Sequence, residues 1–319
     1  MGGWYAALTN SFLFNEPKDL KKAEENAGQL VALAPTSAGA QITLGDCYRA
    51  QNDFKKARDA YAKAVTLAPD ASEAYYKEGH ANTYLGNLEE ARKNYDDGGK
   101  HDISLLPAVL NITYTYLYAG DAKAAMKNVM DGIAKLDSSK PAGTYAVEKI
   151  ACFNTAASIA IHMGDAEAMK ELVTKMLPLT AQVNNEIKTP ESKIFMIADS
   201  LKWKAITAML DGKYDVAKAK AEEMKSAVAE IKDDRKLEGY HYLMGLISMK
   251  QKNYADAITH FQEGDPNSIY IKYMLAKANE AQGNKDKAIA LYKEVAVFNF
   301  NGIENALVRN EVKKKLATP

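Results

Sequence analysis

Five histidines (His80, His101, His162, His241 and His260) and two cysteines (Cys47 and Cys152) are the residues of this chain best suited to ligate a metal or attack an electrophile. Their spacing assembles neither chemistry. Zinc held from one helix needs two histidines at helical spacing around a glutamate, or Cys-x2-Cys pairs. Neither His-Glu-x2-His, His-x3-His nor Cys-x2-Cys occurs. Gly98-Gly99 runs into Lys100-His101 rather than Lys-Ser or Lys-Thr, so no phosphate-cradling loop is encoded, and Gly-x-Ser-x-Gly is absent. The pairs Glu24-Glu25, Glu89-Glu90 and Glu222-Glu223 are adjacent positions that leave a helix in different directions, so they read as solvated faces rather than acid–base couples. Asn111-Ile112-Thr113 matches a glycosylation acceptor but falls inside a helical run and reads as chance. The sequence assigns no catalytic residue, no metal ligand and no cofactor.

Charge narrows the partners further. The 41 basic and 41 acidic residues cancel, and only five of the basic ones are arginine. Reading phosphate or guanine relies on a positive field and on bidentate arginine, so nucleic acid is not expected. No stretch approaches 18 uninterrupted apolar residues, so no membrane span is predicted. Met1-Gly2-Gly3-Trp4-Tyr5 lacks the basic and apolar regions of a signal peptide. Two compartments stay open: the cytoplasm for the chain as written, or an extracytoplasmic space if Met1-Gly2-Gly3 marks a junction where a targeting segment was removed. Two cysteines cannot build a disulfide framework, and both sit among apolar neighbours in helical patterns, as buried thiols do.

The elements that would position any site are read from repetition. Gly45 recurs as Gly79, Tyr61 as Tyr95, Pro35 as Pro69 and Gly86 as Gly120, each 34 residues on, while Ala23, Ala57, Ala91 and Ala125 keep the same step. Turn signals fall at Gln51-Asn52-Asp53, Leu85-Gly86-Asn87, Ala119-Gly120-Asp121, Met163-Gly164-Asp165, Asp211-Gly212-Lys213 and Gln282-Gly283-Asn284, each followed by an amphipathic run. Nothing alternates with period two. The prediction is an all-α chain of helix pairs in which small residues let helices approach and an aromatic fills the gap.

One unit reads Gln41-x2-Leu44-Gly45-x2-Tyr48, Ala57-x3-Tyr61 and Pro69, and Ala-x3-aromatic returns at Ala91/Tyr95, Ala257/Phe261 and Ala288/Tyr292. This resembles the tetratricopeptide repeat, with Gln41 in place of the family's tryptophan. The expected architecture is an α-solenoid of about eight repeats, 4–37, 38–71, 72–105, 106–140, 141–189, 190–234, 235–268 and 269–301, closed by a capping helix over 302–316. Coarsely, four regular repeats fill 1–140, two longer ones fill 141–234, and two plus the cap fill 235–319. The extra residues of the long repeats lie near Ser138–Gly143 and Pro178–Pro190, as longer helices or loops.

The resemblance implies a non-catalytic scaffold that holds a protein or peptide partner against the first helices of its repeats. Carried over position by position, that surface includes Tyr76, His80, Tyr84, Leu110, Tyr114, Leu117 and Tyr118, with Tyr242 and Tyr273 in later repeats. Tyrosine offers large contact area, few rotors and one polar tip, which suits recognition. The same tyrosines could instead pack against neighbouring first helices. A family subset grips a terminal carboxylate with lysine and asparagine; its positions here hold Ile42, Asp46, Lys77, Pro107 and Asn111, and Asp46 would repel a carboxylate. The competing function is a structural role with self-association through the ends or the convex face.

Overall fold

The structure, a computed structural model, describes residues 9–10, 13, 19–139, 145–186 and 189–317. Among them are sixteen helices and no strand. Two compact units divide the chain, one running to Asn128 and including the tripeptide Asn299–Asn301, the other comprising Val129–Phe298 and the residues from Gly302 onward. The first unit holds α1 (Leu20–Leu33), α2 (Ala38–Ala50), α3 (Phe54–Leu67), α4 (Ser72–Leu85), α5 (Leu88–Lys100), α6 (Leu106–Tyr118) and the start of α7 (Ala122–Ser139). The second continues α7 with α8 (Ala146–Met163), α9 (Ala166–Glu186), α10 (Pro190–Leu210), α11 (Tyr214–Ala227) and α12 (Glu238–Lys250). It ends with α13 (Tyr254–Gln262), α14 (Ile269–Gln282), α15 (Lys285–Ala296) and α16 (Ile303–Ala317).

One local device builds every pair. At Asn52, Gly86, Gly120, Gly164, Gly212, Lys252 and Gly283 the backbone turns left-handed, with φ between 59° and 92°. The next residue's N–H then donates to the carbonyl five positions back at 2.8–2.9 Å, from Asp53 to Tyr48 through to Asn284 to Asn279. This closes the first helix of each pair with a Schellman bond. That next residue often opens the second helix as well: the carboxylates of Asp53, Asp121 and Asp165 accept the N–H groups of Lys56, Ala124 and Ala168. Six of the seven turns carry the signals read in the sequence. The seventh uses Lys252, a residue with no intrinsic preference for this conformation, and pattern reading passes over it.

The turn residue also sets the packing register. Seven positions before it stand Gly45, Gly79, Thr113, Ala157, Ala205, Gly245 and Ala276, and nine after it stand Tyr61, Tyr95, Val129, Val173, Ala221, Phe261 and Tyr292. Five after it stand Ala57, Ala91, Ala125, Met169, Ala217, Ala257 and Ala288, all buried. Where the aromatic is largest its partner is glycine or alanine. A Cβ built on Gly45 would lie 2.4 Å from the Tyr61 ring, and the same clash occurs for Gly79 with Tyr95 and Gly245 with Phe261. Core density leaves no room for both.

The surplus of the long repeats is helix. α7 and α8 have 18 residues each and α9 and α10 have 21, against 13 and 14 in α2 and α3. Pro178 lies inside α9 rather than ending it. Residues 140–143 of the Ser138–Gly143 stretch lie outside the described residues, as do Met1–Leu8. The short α13, nine residues before Gly264-Asp265-Pro266, accounts for the shortened last step of the repeat. The cap is the helix α16, which buries Val308 and Val312 against the core of α14 and α15.

Candidate binding groove

In the first unit the successive first helices α2, α4 and α6 bring together Asp46 and Arg49, Lys77 and His80, and Asn111. The Lys77 ammonium lies 2.8 Å from both Asp46 carboxylate oxygens, and the buried Tyr61 hydroxyl donates to the same carboxylate at 2.7 Å. The aspartate that sequence reasoning places against a carboxylate ligand is thus neutralised within the fold. The Asn111 amide donates to the Pro107 carbonyl at 2.8 Å, one turn back, which leaves its Oδ1 as an acceptor facing His80 Nε2 at 3.3 Å. Burial drives the His80 pKa down to about 4, so the imidazole is neutral near pH 7 and the Asn111 contact identifies Nε2 as its N–H.

Onto this surface the chain lays Asn299–Asn301, part of the same unit. Asn299 accepts from Arg49 Nη1 at 3.2 Å and donates to the Arg49 carbonyl at 3.1 Å and to Asn52 Oδ1 at 2.9 Å. The Arg49 guanidinium carbon stands 4.4 Å from the centroid of the Phe300 ring. Asn301 donates to Asn111 Oδ1 at 2.8 Å and to the Tyr95 hydroxyl oxygen at 3.3 Å. Sequence reasoning met Asn52 only as a turn residue and gave no role to Asn299 or Asn301; the trace of the latter two is a non-helical Phe-Asn-Phe-Asn-Gly stretch before the cap.

The residues assigned by resemblance separate by burial. Tyr76, His80, Tyr84, Leu110 and Tyr118 are half-buried, and the Tyr84 ring stacks on Phe54 at 4.7 Å and tilts against Tyr118 at 6.0 Å. Tyr114 and Leu117 are buried and act mainly in packing. In the second unit Tyr242 is half-buried and lines a cavity of about 340 Å³ with Tyr270, Asp265 and Glu304. Tyr273 is fully buried: its hydroxyl donates to Glu311 of α16, and Lys277 reaches both Tyr273 (3.2 Å) and Glu311 (3.3 Å). It gives a partner no surface, because the cap covers it.

His241 and His260, met singly in the sequence, approach to 3.1 Å between their Nδ1 atoms; burial depresses both pKa values, and at His241 the charge of His260 adds to it. Among the described residues no three histidine, cysteine, aspartate or glutamate side chains are placed to hold a metal, and no helix is long and apolar enough to cross a membrane. Cys47 and Cys152 are free and buried, each within its own unit.

A tetratricopeptide-repeat family model matches residues 38–71, the bounds of one repeat as read from the sequence, and a second such model matches 271–297. No curated protein sequence matches the chain. Among solved structures, a tetratricopeptide repeat protein from Parabacteroides merdae ATCC 43184 is similar over 99% of this chain and 97% of its own, at 15% identity and a TM-score of 0.47. MamA is similar over 43% of this chain and 78% of its own, at 23% identity and a TM-score of 0.38. For PilF of Pseudomonas aeruginosa the figures are 72% and 92%, 13% identity and 0.44. Family models match one repeat in each unit, and the small–large interlock keeps a single register from the left-handed turns, so this chain carries tetratricopeptide repeats.

Proposed function

We propose that this protein is a non-catalytic interaction scaffold whose first unit holds an extended segment of a protein partner across α2, α4 and α6. One observation carries the reading: this face holds a non-helical tripeptide through side-chain hydrogen bonds, so its polar groups are already arranged to bind extended chain. The half-buried rings of Tyr84 and Tyr118 flank the polar patch and supply apolar contact beside it. Tetratricopeptide-repeat proteins are generally non-catalytic, which agrees with the lack of a nucleophile–base constellation in the sequence.

The test is affinity capture from source-cell lysate with the wild-type chain and with Tyr84→Ala/Tyr118→Ala, compared by quantitative mass spectrometry. A protein retained by the wild type and depleted at least about fivefold by the double variant, with circular dichroism unchanged, is the expected result; a loss of 1.4 kcal/mol corresponds to about tenfold. Equal retention of every captured protein would remove this face as the binding site.

A further inference from the structure

We propose that the groove of the first unit is a receptor for an asparagine–aromatic–asparagine segment of a protein partner, and that Asn299-Phe300-Asn301 is the chain's own copy of that ligand, occupying the groove until a partner's segment replaces it. The inference rests on the groove being a peptide-binding surface and adds what that surface reads.

The groups that meet Asn299 engage the oxygen and both N–H bonds of its primary amide. Its oxygen takes the Arg49 Nη1 proton, and its two N–H bonds go to the Arg49 carbonyl and to Asn52 Oδ1. Aspartate would bring no donor, and glutamine would carry the amide one methylene too far. At the second position two acceptors are fixed without help from the tripeptide. Thr83 donates its only hydroxyl proton to the Gly79 carbonyl at 2.8 Å. The Tyr95 hydroxyl, 2.9 Å from Thr83 Oγ1, therefore donates to Thr83 and keeps its lone pairs for Asn301. Asn111 is held by Pro107, so its Oδ1 also points at the ligand. Two acceptors set side by side call for an NH2 group. Arg49 and Lys77 against the single carboxylate of Asp46 favour a neutral amide over a lysine ammonium.

The chain's own segment fits this receptor incompletely. The Phe300 ring stays 53% exposed beside Arg49. Asn301 Oδ1 is buried, and no donor among the described residues reaches it. A buried acceptor without a donor costs free energy, so a segment that also satisfies this group, or packs a larger aromatic on Arg49, displaces the internal one. Asn52 separates recognition from folding. It is the turn residue of its pair, at φ 61°, and its side chain is free to serve as a receptor group where five of the other turns have glycine.

The experiment titrates a fluorescein-labelled peptide with the sequence of residues 296–303 into the full chain and reads anisotropy. The wild type competes with its own segment at an effective concentration on the order of millimolar. Asn299→Ala/Asn301→Ala frees the groove and is expected to bind the peptide at least about tenfold more tightly than the wild type. Adding Asn52→Gly, which suits the left-handed turn, should weaken that binding about fivefold or more with an unchanged melting curve. A peptide carrying aspartate at both asparagine positions should not bind. A freed variant that keeps the wild-type circular dichroism yet binds no tighter than the wild type, or takes the aspartate peptide equally well, overturns the proposal. If the freed variant fails in this way while Tyr84→Ala/Tyr118→Ala still strips a partner, the amide-reading receptor falls and the scaffold reading stands. If both assays fail, the groove itself is lost.

Discussion

The two units build their helix pairs in one register and treat the surface of their first helices differently. In the first, a tripeptide touches α2, the α2–α3 turn, α5 and α6 through neutral amides and leaves Tyr84 and Tyr118 half-exposed. In the second, the fifteen-residue α16 lies over α14 and seals it with charge: Glu311 meets Tyr273 and Lys277, and Lys315 reaches Glu280 at 2.6 Å, which also accepts from Tyr292 at 2.9 Å. The small–large interlock therefore sets the spacing of the helices. What the surface can receive is set by the residues outside the interlock and by the non-repeat segment laid on them. Five hydrogen bonds from a loop leave a surface that an outside chain can contest; a helix that buries Val308 and Val312 leaves none at Tyr273.

The largest test of this contrast is in the interlock. Tyr95→Ala empties the space opposite Gly79 and should cost about 3–5 kcal/mol, whereas Ala221→Gly, at the same register position of the second unit, should cost about 1 kcal/mol. Thermal melting of the two full-length variants ranks them, and equal losses would mean that the shared register does not carry the packing. Next comes Gly79→Ala, where the new methyl would stand 2.5 Å from the Tyr95 ring. The overpacking should cost about 1–3 kcal/mol by the same measurement. A comparable effect belongs to the exposed rim: Tyr118→Ala should weaken partner binding by about 1–3 kcal/mol, and Tyr242→Ala in the second unit should leave it unchanged. Calorimetric titration with the captured partner reads both, and a loss with Tyr242→Ala alone would move the site to the second unit.

A smaller effect follows from His80. Its folded-state pKa lies near 4 against 6.5 for the free side chain, because burial disfavours the imidazolium. Below pH 6.5 the unfolded chain takes up a proton that the folded chain refuses, so this contribution is complete above pH 6.5 and is lost as the pH falls towards 4. Allowing for partial exposure it amounts to about 1–2 kcal/mol. His162, His241 and His260 are depressed in the same direction, so the measurement is the difference between the wild type and His80→Gln in melting temperature from pH 7 to pH 5. Parallel curves would contradict a neutral His80 in the folded groove. The finest comparison uses the thiols. Burial raises both pKa values to about 12, and each unit has one. In Cys47→Ala and Cys152→Ala the remaining thiol should label only as its own unit opens, giving two rates; rapid labelling of either by a disulfide reagent under native conditions would show that its unit does not hold the thiol closed.

The pairs, their turns and most of their packing could be read in the sequence because they are local. Gly79 and Tyr95 lie sixteen residues apart and repeat, and Gly86 marks the reversal between them. The Lys252 turn was hidden because the conformation there is imposed by the Schellman bond and the packing around it, not by the residue's preference. The candidate site was legible only in part. The face occupied by Tyr76, His80 and Tyr84 is implied by the repeat-family resemblance, but the Asn52–Asn299 contact spans 247 residues, and nothing within either segment signals the other. Tyr114, Leu117 and Tyr273 show the same limit. The resemblance places them on the groove side of their helices, and only the surrounding elements determine whether that side meets solvent.

Proline at position 178 has a consequence for how this chain can change in length. It has no N–H to give the Thr174 carbonyl one turn back, and it stands at the thirteenth residue of α9, where the regular second helices finish. Met169, Leu172, Val173 and Met176 precede it in the core, and from Leu177 to Glu186 no side chain is buried. The last part of α9 is therefore a ledge attached beyond a finished repeat. Deletions and insertions there leave the interlock, the turns and the groove of the first unit untouched, so relatives of this chain should differ in size first at this ledge, long before they differ in the pairs that support it.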